Sequence, residues 1–173
     1  MQTSKHIHQL VLAALFTAIA IMVPFLMPKL YMDGVFTATL AAHTPIVLAM
    51  FIAPWMGAAV SAGSAIGFCF AMNPIIGLRA AMHIPFALLG GYMIQKKQPL
   101  WLVFIVTAVI HAGLEALIVW LLYVSMGIDL KGLTLNYTMG LILAGTAIHY
   151  LIDFVLALII YKPLEKPYFN KLR

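Results

Sequence analysis

Six long apolar runs, from which charged residues are almost excluded, constrain this chain more than any other feature of its sequence. Of the 173 residues, 64% are hydrophobic and only 9% are Asp, Glu, Lys or Arg. A helix needs about 20 consecutive apolar residues to cross a bilayer. The sequence therefore predicts an all-α integral membrane protein, a single domain over residues 1–173 with six transmembrane helices. The predicted helices cover residues 9–28, 38–54, 55–72, 76–94, 100–126 and 138–161.

The distribution of lysine and arginine predicts how these helices are oriented. If six helices alternate across the membrane, one side receives seven basic residues, which are Lys5, Lys96, Lys97, Lys162, Lys166, Lys171 and Arg173. The other side receives Lys29 and Lys131, with Arg79 just inside the membrane. Because short loops rich in lysine and arginine stay in the cytoplasm, both termini are predicted to be cytoplasmic. Orientation thus accounts for the net charge of +5, and no nucleic-acid partner is predicted.

The chain carries none of the motifs that mark the common enzyme active sites. It has no Walker loop, no G-x-S-x-G, no H-E-x-x-H and no cysteine cluster, since Cys69 is its single cysteine. We therefore predict that the protein is not an enzyme and has no cofactor. Histidine and carboxylate side chains are available as metal ligands, but no short ligand spacing indicates a metal site. If transport by this chain needs ATP, the ATPase must be on another chain.

An arginine, Arg79, opens the fourth apolar run, and His83 follows four residues later on the same helical face. One interpretation is that the arginine snorkels to the membrane surface. The other is an anion-binding site open to the outside, because a guanidinium group binds a carboxylate through two parallel hydrogen bonds. Asn73 would add an amide donor to such a site, and His43 is predicted to lie at a similar depth.

The fifth and sixth runs carry two histidine–carboxylate sets with helical spacing. His111 precedes Glu115 by four residues, and His149 precedes Asp153 by four. Positions equidistant from the connecting loop should face each other in antiparallel helices. This register predicts one rung between His111 and Asp153 and another between Glu115 and His149. The rungs are interpreted either as structural pairs that neutralise buried acids, or as a ligand site or proton relay. The deeper rung, His111 with Asp153, is predicted to be structural.

Small residues form close-packing faces on two of the predicted helices. Ala14 and Ala18 share one face of the first helix, and Gly57, Gly63 and Gly67 lie on the third. Such faces let helices approach closely in lipid. Packing within the bundle and docking of a partner membrane protein both remain open as interpretations.

As a whole, the chain resembles the S components of energy-coupling factor (ECF) vitamin transporters. The resemblance rests on six helices, cytoplasmic termini, the Ala-x-x-x-Ala face and the missing ATPase, and it covers essentially the whole chain. Three segments are most similar to the niacin-specific members: FTATLAAHTPI (36–46), AMFIAP (49–54) and LRAAMH (78–83).

The resemblance implies that the protein captures a vitamin from outside with high affinity. It also implies two kinds of partner, a membrane scaffold subunit and two ATPase subunits that supply the energy for uptake. In such proteins the ligand lies among helices four to six and is covered by the loop after the first helix. The face bearing Ala14 and Ala18 is implied to contact the scaffold.

Nicotinate, a small aromatic anion with one ring nitrogen, fits the residues of this chain. Arg79 is predicted to bind the carboxylate, an aromatic side chain to stack on the ring and a histidine to address the ring nitrogen. Residues 31–37 are predicted to close the site, with Phe36 as an apolar lid. The candidate substrate-binding residues are Phe36, His43, Asn73, Arg79, His83, Glu115, Trp120, Tyr123, His149 and Tyr150.

Other functions stay open at this point. Pantothenate, biotin and riboflavin are alternative vitamins for an S component. A protein of another class, a self-contained proton-coupled carrier or channel, would use the histidine–carboxylate rungs. An intramembrane enzyme is disfavoured because no nucleophile or metal motif is present.

Overall fold

The architecture, described by a computed structural model for residues 2–33 and 35–172, is a bundle of helices with one short hairpin. Its elements are α1 (Gln2–Leu26), β1 (Lys29–Met32), β2 (Phe36–Thr39), α2 (Thr44–Met50), α3 (Pro54–Ala71), α4 (Pro74–Ala81), α5 (His83–Gln95), α6 (Leu100–Met126), α7 (Leu135–Leu164), a π-helical turn (Glu165–Phe169) and α8 (Asn170–Leu172). Arg173, and Gly34 within the predicted loop 31–37, lie outside the described residues.

Within the described residues, five helical segments are long and apolar enough to cross a membrane. They are Ser4–Leu26, Pro54–Ala71, Pro74–Gln95, Leu100–Met126 and Leu135–Leu172. These segments correspond to five of the six predicted helices, and they confirm that the chain is an all-α membrane protein. The fourth segment of the prediction is divided into α4 and α5, which meet at Met82.

The predicted second helix, residues 38–54, differs from the structure. Its first residues end β2, a turn follows in which Ala41 adopts a left-handed backbone conformation (φ 64°), and α2 has only seven residues. Every residue of α2 is buried, and Pro54 then starts α3. A fully buried short helix and a membrane-crossing helix are equally apolar, so hydropathy alone does not separate them.

α2 runs alongside α7 through the middle of the bundle. At its start, His43 contacts Asp153, and just past its end the ring of Phe51 stacks on Tyr161 with 3.8 Å between centroids. Backbone that is not helical is tolerated at membrane depth only where protein surrounds it. Residues 42–53 are all buried by the neighbouring helices and meet that condition.

The predicted loop after the first helix is an antiparallel hairpin. Its register runs from Lys29 opposite Thr39 to Met32 opposite Phe36. Strand β1 faces outward, whereas β2 is largely buried against the bundle. The hydroxyl of Tyr137, near the start of α7, donates to Asp33 Oδ2 at 2.7 Å. This hydrogen bond ties the turn of the hairpin to α7.

Glycines of α3 allow α1 to pack directly against it. A Cβ added at Gly67 would lie 2.5 Å from the carbonyl oxygen of Ile21, and one at Gly63 would overlap the Thr17 side chain. The small residues of α3 therefore serve packing within the bundle. Ala14 and Ala18, in contrast, are exposed on the other side of α1 and do not take part in this contact.

Candidate functional site

A small polar cavity lies beneath the hairpin, enclosed by β2, α4, α5, α6 and α7. Its volume is about 30 Å³, which is the space of roughly one water molecule. Six of the predicted substrate-binding residues line it: Phe36, His43, Arg79, His83, Glu115 and His149. His111, which was predicted to be structural, also lines the cavity.

Arg79 projects into the bundle from α4 and pairs with Glu115 on α6. Its Nε donates to Glu115 Oε1 at 2.8 Å, and its Nη2 lies 2.6 Å from the same oxygen. Nη1 donates to the carbonyl oxygen of Val35 at 3.3 Å, and Thr146 donates to Glu115 Oε2 at 2.5 Å. Arg79 is only 4% exposed, so the snorkelling interpretation is wrong.

Asp153 of α7 holds the turn that precedes α2. Its Oδ1 accepts from the Ala41 backbone amide at 2.8 Å, and its Oδ2 accepts from the His43 amide at 2.9 Å. The Nδ1 of the His43 ring lies 2.9 Å from the same Oδ2, and His149 Nε2 lies 3.6 Å from it. This carboxylate is fully buried. It accepts hydrogen bonds from two backbone amides, those of Ala41 and His43, that have no acceptor within a strand or helix.

The two predicted rungs between the fifth and sixth predicted helices are therefore wrong. Asp153 pairs with His43 instead of His111, and Glu115 pairs with Arg79 and Thr146 instead of His149. The register argument considered only α6 and α7. It could not include the segment before α2, which brings two backbone amides and an imidazole to Asp153, or Arg79, which reaches Glu115 from α4.

Four histidine rings cluster around the cavity. The ring centroid of His43 lies 4.6 Å from that of His83, 4.6 Å from that of His111 and 4.8 Å from that of His149. His43 Nε2 and His83 Nε2 are 3.3 Å apart. Two sets have the ligand types and spacing for a metal ion: His43 with His83 and His111, and His43 with His149 and Asp153.

Phe36 closes the cavity on the side of the hairpin. Its ring rests on Gly145 of α7, where an added Cβ would lie 2.7 Å from Phe36 Cζ. On the other side of Phe36 and His149 is an apolar groove of about 470 Å³ between the hairpin and α7. The lid residue predicted from sequence thus separates the polar cavity from an apolar groove.

Comparison with known proteins identifies the family. The chain is 37% identical over 178 aligned residues to the niacin transporter NiaX of Lactococcus lactis subsp. cremoris (strain MG1363). The alignment covers 96% of this chain and 79% of that relative. The chain belongs to the NiaX family. This relationship confirms the resemblance to niacin-specific transporter subunits. No protein-family model matches this NiaX family member. No solved structure matches it either.

Four of the predicted substrate-binding residues of this NiaX family member lie away from the cavity lining. Asn73 is exposed and accepts a hydrogen bond from the Ile76 amide, which makes it the N-cap of α4. Trp120 and Tyr123 are 42% and 38% exposed on α6. Tyr150 is fully buried beside the histidines, with its ring 5.3 Å from that of His43, and its hydroxyl donates to Thr107.

The sequence analysis missed three threonines that line the cavity. Thr37 and Thr39 come from β2, and Thr146 comes from α7. The signal was present for Thr146, because it lies three residues before His149 and so shares its helical face. Thr39 gave no signal, since residues 38–54 were read as a helix, whereas Thr37 ends the segment 31–37 that was predicted to close the site.

Proposed function

We propose that this chain captures nicotinate from outside the cell and delivers it to a shared ATP-driven ECF module. The observation that carries the proposal is Arg79, a buried guanidinium in a polar cavity that a hairpin covers. The NiaX relative is named a niacin transporter, which supports the choice of vitamin.

The carboxylate of nicotinate binds to Arg79 in this proposal. Nη1 makes its contact with the Val35 carbonyl at 3.3 Å, the longest of the contacts that Arg79 makes in the site. A carboxylate that replaces this carbonyl brings a negative charge to the guanidinium and adds the attraction between opposite charges to the hydrogen bond. The histidines on the opposite wall are within the same cavity and supply a donor for the ring nitrogen.

Binding requires the hairpin to move. Ligand pockets usually measure about 300–1,000 Å³, whereas this cavity holds roughly one water molecule. A pyridine ring enters only if Phe36 leaves Gly145, because Phe36 fills the space between the cavity and the groove. Access from outside therefore depends on β1 and β2.

The partner subunits are a membrane scaffold and two ATPases. Ala14 and Ala18 are exposed on α1, which supports a docking face there. Six crossings with both termini in the cytoplasm fit this arrangement if residues 36–53 make the second crossing inside the protein. The binding site then faces outward in the solitary protein.

The carrier or channel alternative has lost its main support. It depended on two histidine–carboxylate rungs as a proton path, and the carboxylates have other partners. Purified protein in liposomes distinguishes the two classes, because an S component does not transport nicotinate without its scaffold and ATPases.

Calorimetry of purified protein with nicotinate tests the proposal. Arg79→Lys should weaken binding at least about 10-fold, because a lysine loses the fork that holds a carboxylate. Arg79→Gln combined with Glu115→Gln should abolish it while leaving no unpaired charge inside the bundle. Lys131→Gln, at an exposed residue of the α6–α7 loop, is the matched control and should bind normally.

Nicotinamide provides a second arm of the same test. It lacks the carboxylate and should bind the native protein more weakly than nicotinate does. Normal nicotinate affinity in a folded Arg79→Gln, Glu115→Gln protein would rule out this site.

A further inference from the structure

We propose that His43, His83 and His111 bind one divalent transition-metal ion of the zinc type. This site goes beyond the proposed function, because it is defined without any vitamin. Imidazole nitrogen is a preferred ligand for Zn²⁺, Co²⁺ and Ni²⁺. The three rings come from separate parts of the chain, with His43 preceding α2, His83 opening α5 and His111 in the middle of α6.

The spacing of the ring nitrogens is that of a tetrahedral site. Two imidazoles bound to zinc at 2.0–2.1 Å are about 3.3 Å apart at the tetrahedral angle. His43 Nε2 and His83 Nε2 are separated by 3.3 Å. One nitrogen of each of the three residues lies within 4.8 Å of the others, so closing the set needs a shift of roughly 1.5 Å at most.

The rings also need a partner that the protein does not supply. His83 Nδ1 and both ring nitrogens of His111 are buried without a hydrogen-bond partner among the described residues. Buried polar atoms without partners are rare, because leaving them unpaired is unfavourable. A metal ion bound to one nitrogen of His111 gives one of these buried nitrogens a partner.

Asp153 prepares His43 for this role. A carboxylate only accepts, so the 2.9 Å contact with His43 Nδ1 fixes the proton on Nδ1. The lone pair is then on Nε2, the nitrogen that faces His83. Metal-binding histidines usually have this arrangement, in which a carboxylate orients the ring and raises its basicity.

The charges around the cluster favour a cation. Asp153 and Glu115 are carboxylates, and Arg79 is the guanidinium that pairs with Glu115. One negative charge is left over with both acids ionised, and a divalent cation compensates for it. The three rings line the small cavity, so a fourth coordination position faces a space that accommodates one water molecule.

A competing set, His43 with His149 and Asp153, is less suitable. Both oxygens of Asp153 already accept hydrogen bonds from the backbone amides of Ala41 and His43. Using this carboxylate as a ligand would weaken the contacts that hold the turn before α2. His83 and His111 belong only to the first set, and His149 belongs only to the second. Substitutions at these residues therefore distinguish the two sets experimentally.

The test is Co²⁺ titration of the full-length protein, purified without a polyhistidine tag and stripped with a chelator. We expect one Co²⁺ per chain, the intense visible absorption of a tetrahedral site and displacement by Zn²⁺. His83→Ala and His111→Ala should each weaken binding at least about 100-fold, and Asp153→Asn about 10–100-fold. His6→Ala and His8→Ala, at exposed positions of α1, are the matched controls and should leave the affinity unchanged.

The native protein alone decides the question if a variant does not fold. Absence of stoichiometric Co²⁺ binding by folded native protein overturns the site, and so does octahedral, weakly absorbing Co²⁺. Loss of binding in His149→Ala with normal binding in His111→Ala also overturns it in favour of the competing set. Because nicotinate is absent from the titration, its outcome is independent of the proposed transport function.

Discussion

At the scale of single residues, Arg79 and Glu115 explain how charges persist in an apolar bundle. Nε and Nη2 of Arg79 both contact Glu115 Oε1, and Thr146 donates to the other oxygen. Removing one member of such a pair typically costs about 3–5 kcal/mol, because the remaining charge is uncompensated. A carboxylate ligand that binds Arg79 therefore has to share it with Glu115.

Glu115→Gln tests whether the two carboxylates compete. The amide keeps an acceptor for Thr146 but removes the negative charge, so we expect nicotinate to bind about tenfold more tightly. Calorimetry at constant pH and salt measures the change. The control is again Lys131→Gln, at an exposed residue of the α6–α7 loop. Weaker binding would mean that Glu115 orients Arg79 instead of competing for it.

The sequence predicted which ionisable residues belong to this site better than it predicted which of them contact one another. Ionisable residues inside apolar runs stand out because the membrane makes them unfavourable, and Arg79, His83, Glu115, His149 and Asp153 were found in this way. Their pairing depends on tertiary structure. The histidine cluster illustrates the difficulty, since its members are far apart in sequence and have no motif spacing.

At the scale of elements, the hairpin covers the cavity, and we expect it to control access. Phe36 on β2 rests against Gly145 on α7, and Tyr137 holds the hairpin turn through Asp33. Both anchors belong to α7, so opening the hairpin separates it from this helix. The affinity of the protein for its ligand then depends on how well the hairpin closes over it.

Gly145→Val should prevent closure. The added Cβ would lie within 3.0 Å of three atoms of the Phe36 ring, so the ring cannot return to its place. We expect nicotinate to dissociate faster and the affinity to fall about tenfold or more, as most interface changes act on dissociation. Gly140→Val on the same helix, where a Cβ has nothing within 4 Å, is the control. Equal dissociation rates in stopped-flow measurements of the two variants would contradict the lid.

The exposed face of α1 permits a test of docking. Ala18→Trp adds bulk on the side of α1 that α3 does not cover, so the solitary protein should fold and bind nicotinate normally. Uptake by cells should be lost if this face contacts the scaffold. Val109→Trp, at a 67% exposed residue of α6, is the control and should transport. Normal uptake by both variants would mean that the scaffold binds elsewhere.

Element boundaries were predictable from sequence where a helix faces lipid along its length. α1, α3, α6 and α7 have the length and hydropathy of membrane helices, and α3 begins at Pro54, one residue before the predicted start of the third helix. The segment 38–54 was misread because it is apolar for a different reason, namely burial by protein. No local pattern distinguishes a run buried by lipid from one buried by neighbouring helices.

At the scale of the whole molecule, the chain alternates sides only if residues 36–53 cross the membrane. α1 and α3 are both membrane-length helices, and the segment between them follows α7 from Asp153 to Tyr161. Counting this segment gives an even number of crossings. With that number of crossings, the excess of lysine on one side predicts that both termini are cytoplasmic.

Cysteine labelling in intact cells tests this arrangement. The chain's own Cys69 is first changed to Ala, and single cysteines are placed at Gln98, Asp129 and Asn170. Position 129 should react with a membrane-impermeant reagent from outside, and positions 98 and 170 only after the cells are opened. Labelling of position 170 from outside would contradict the arrangement with both termini in the cytoplasm.

The buried segment before α3 also has a consequence for the order in which the protein is assembled. The amides of Ala41 and His43 have their acceptor on Asp153, more than a hundred residues later in the chain. Lipid offers nothing to replace it. While the ribosome is still translating the first helices, this acceptor is missing, so we expect the N-terminal third of the chain to complete its insertion only when α7 emerges. A ribosome-stalled chain ending before Asp153 is consequently an unfinished membrane protein, however many apolar residues it already contains.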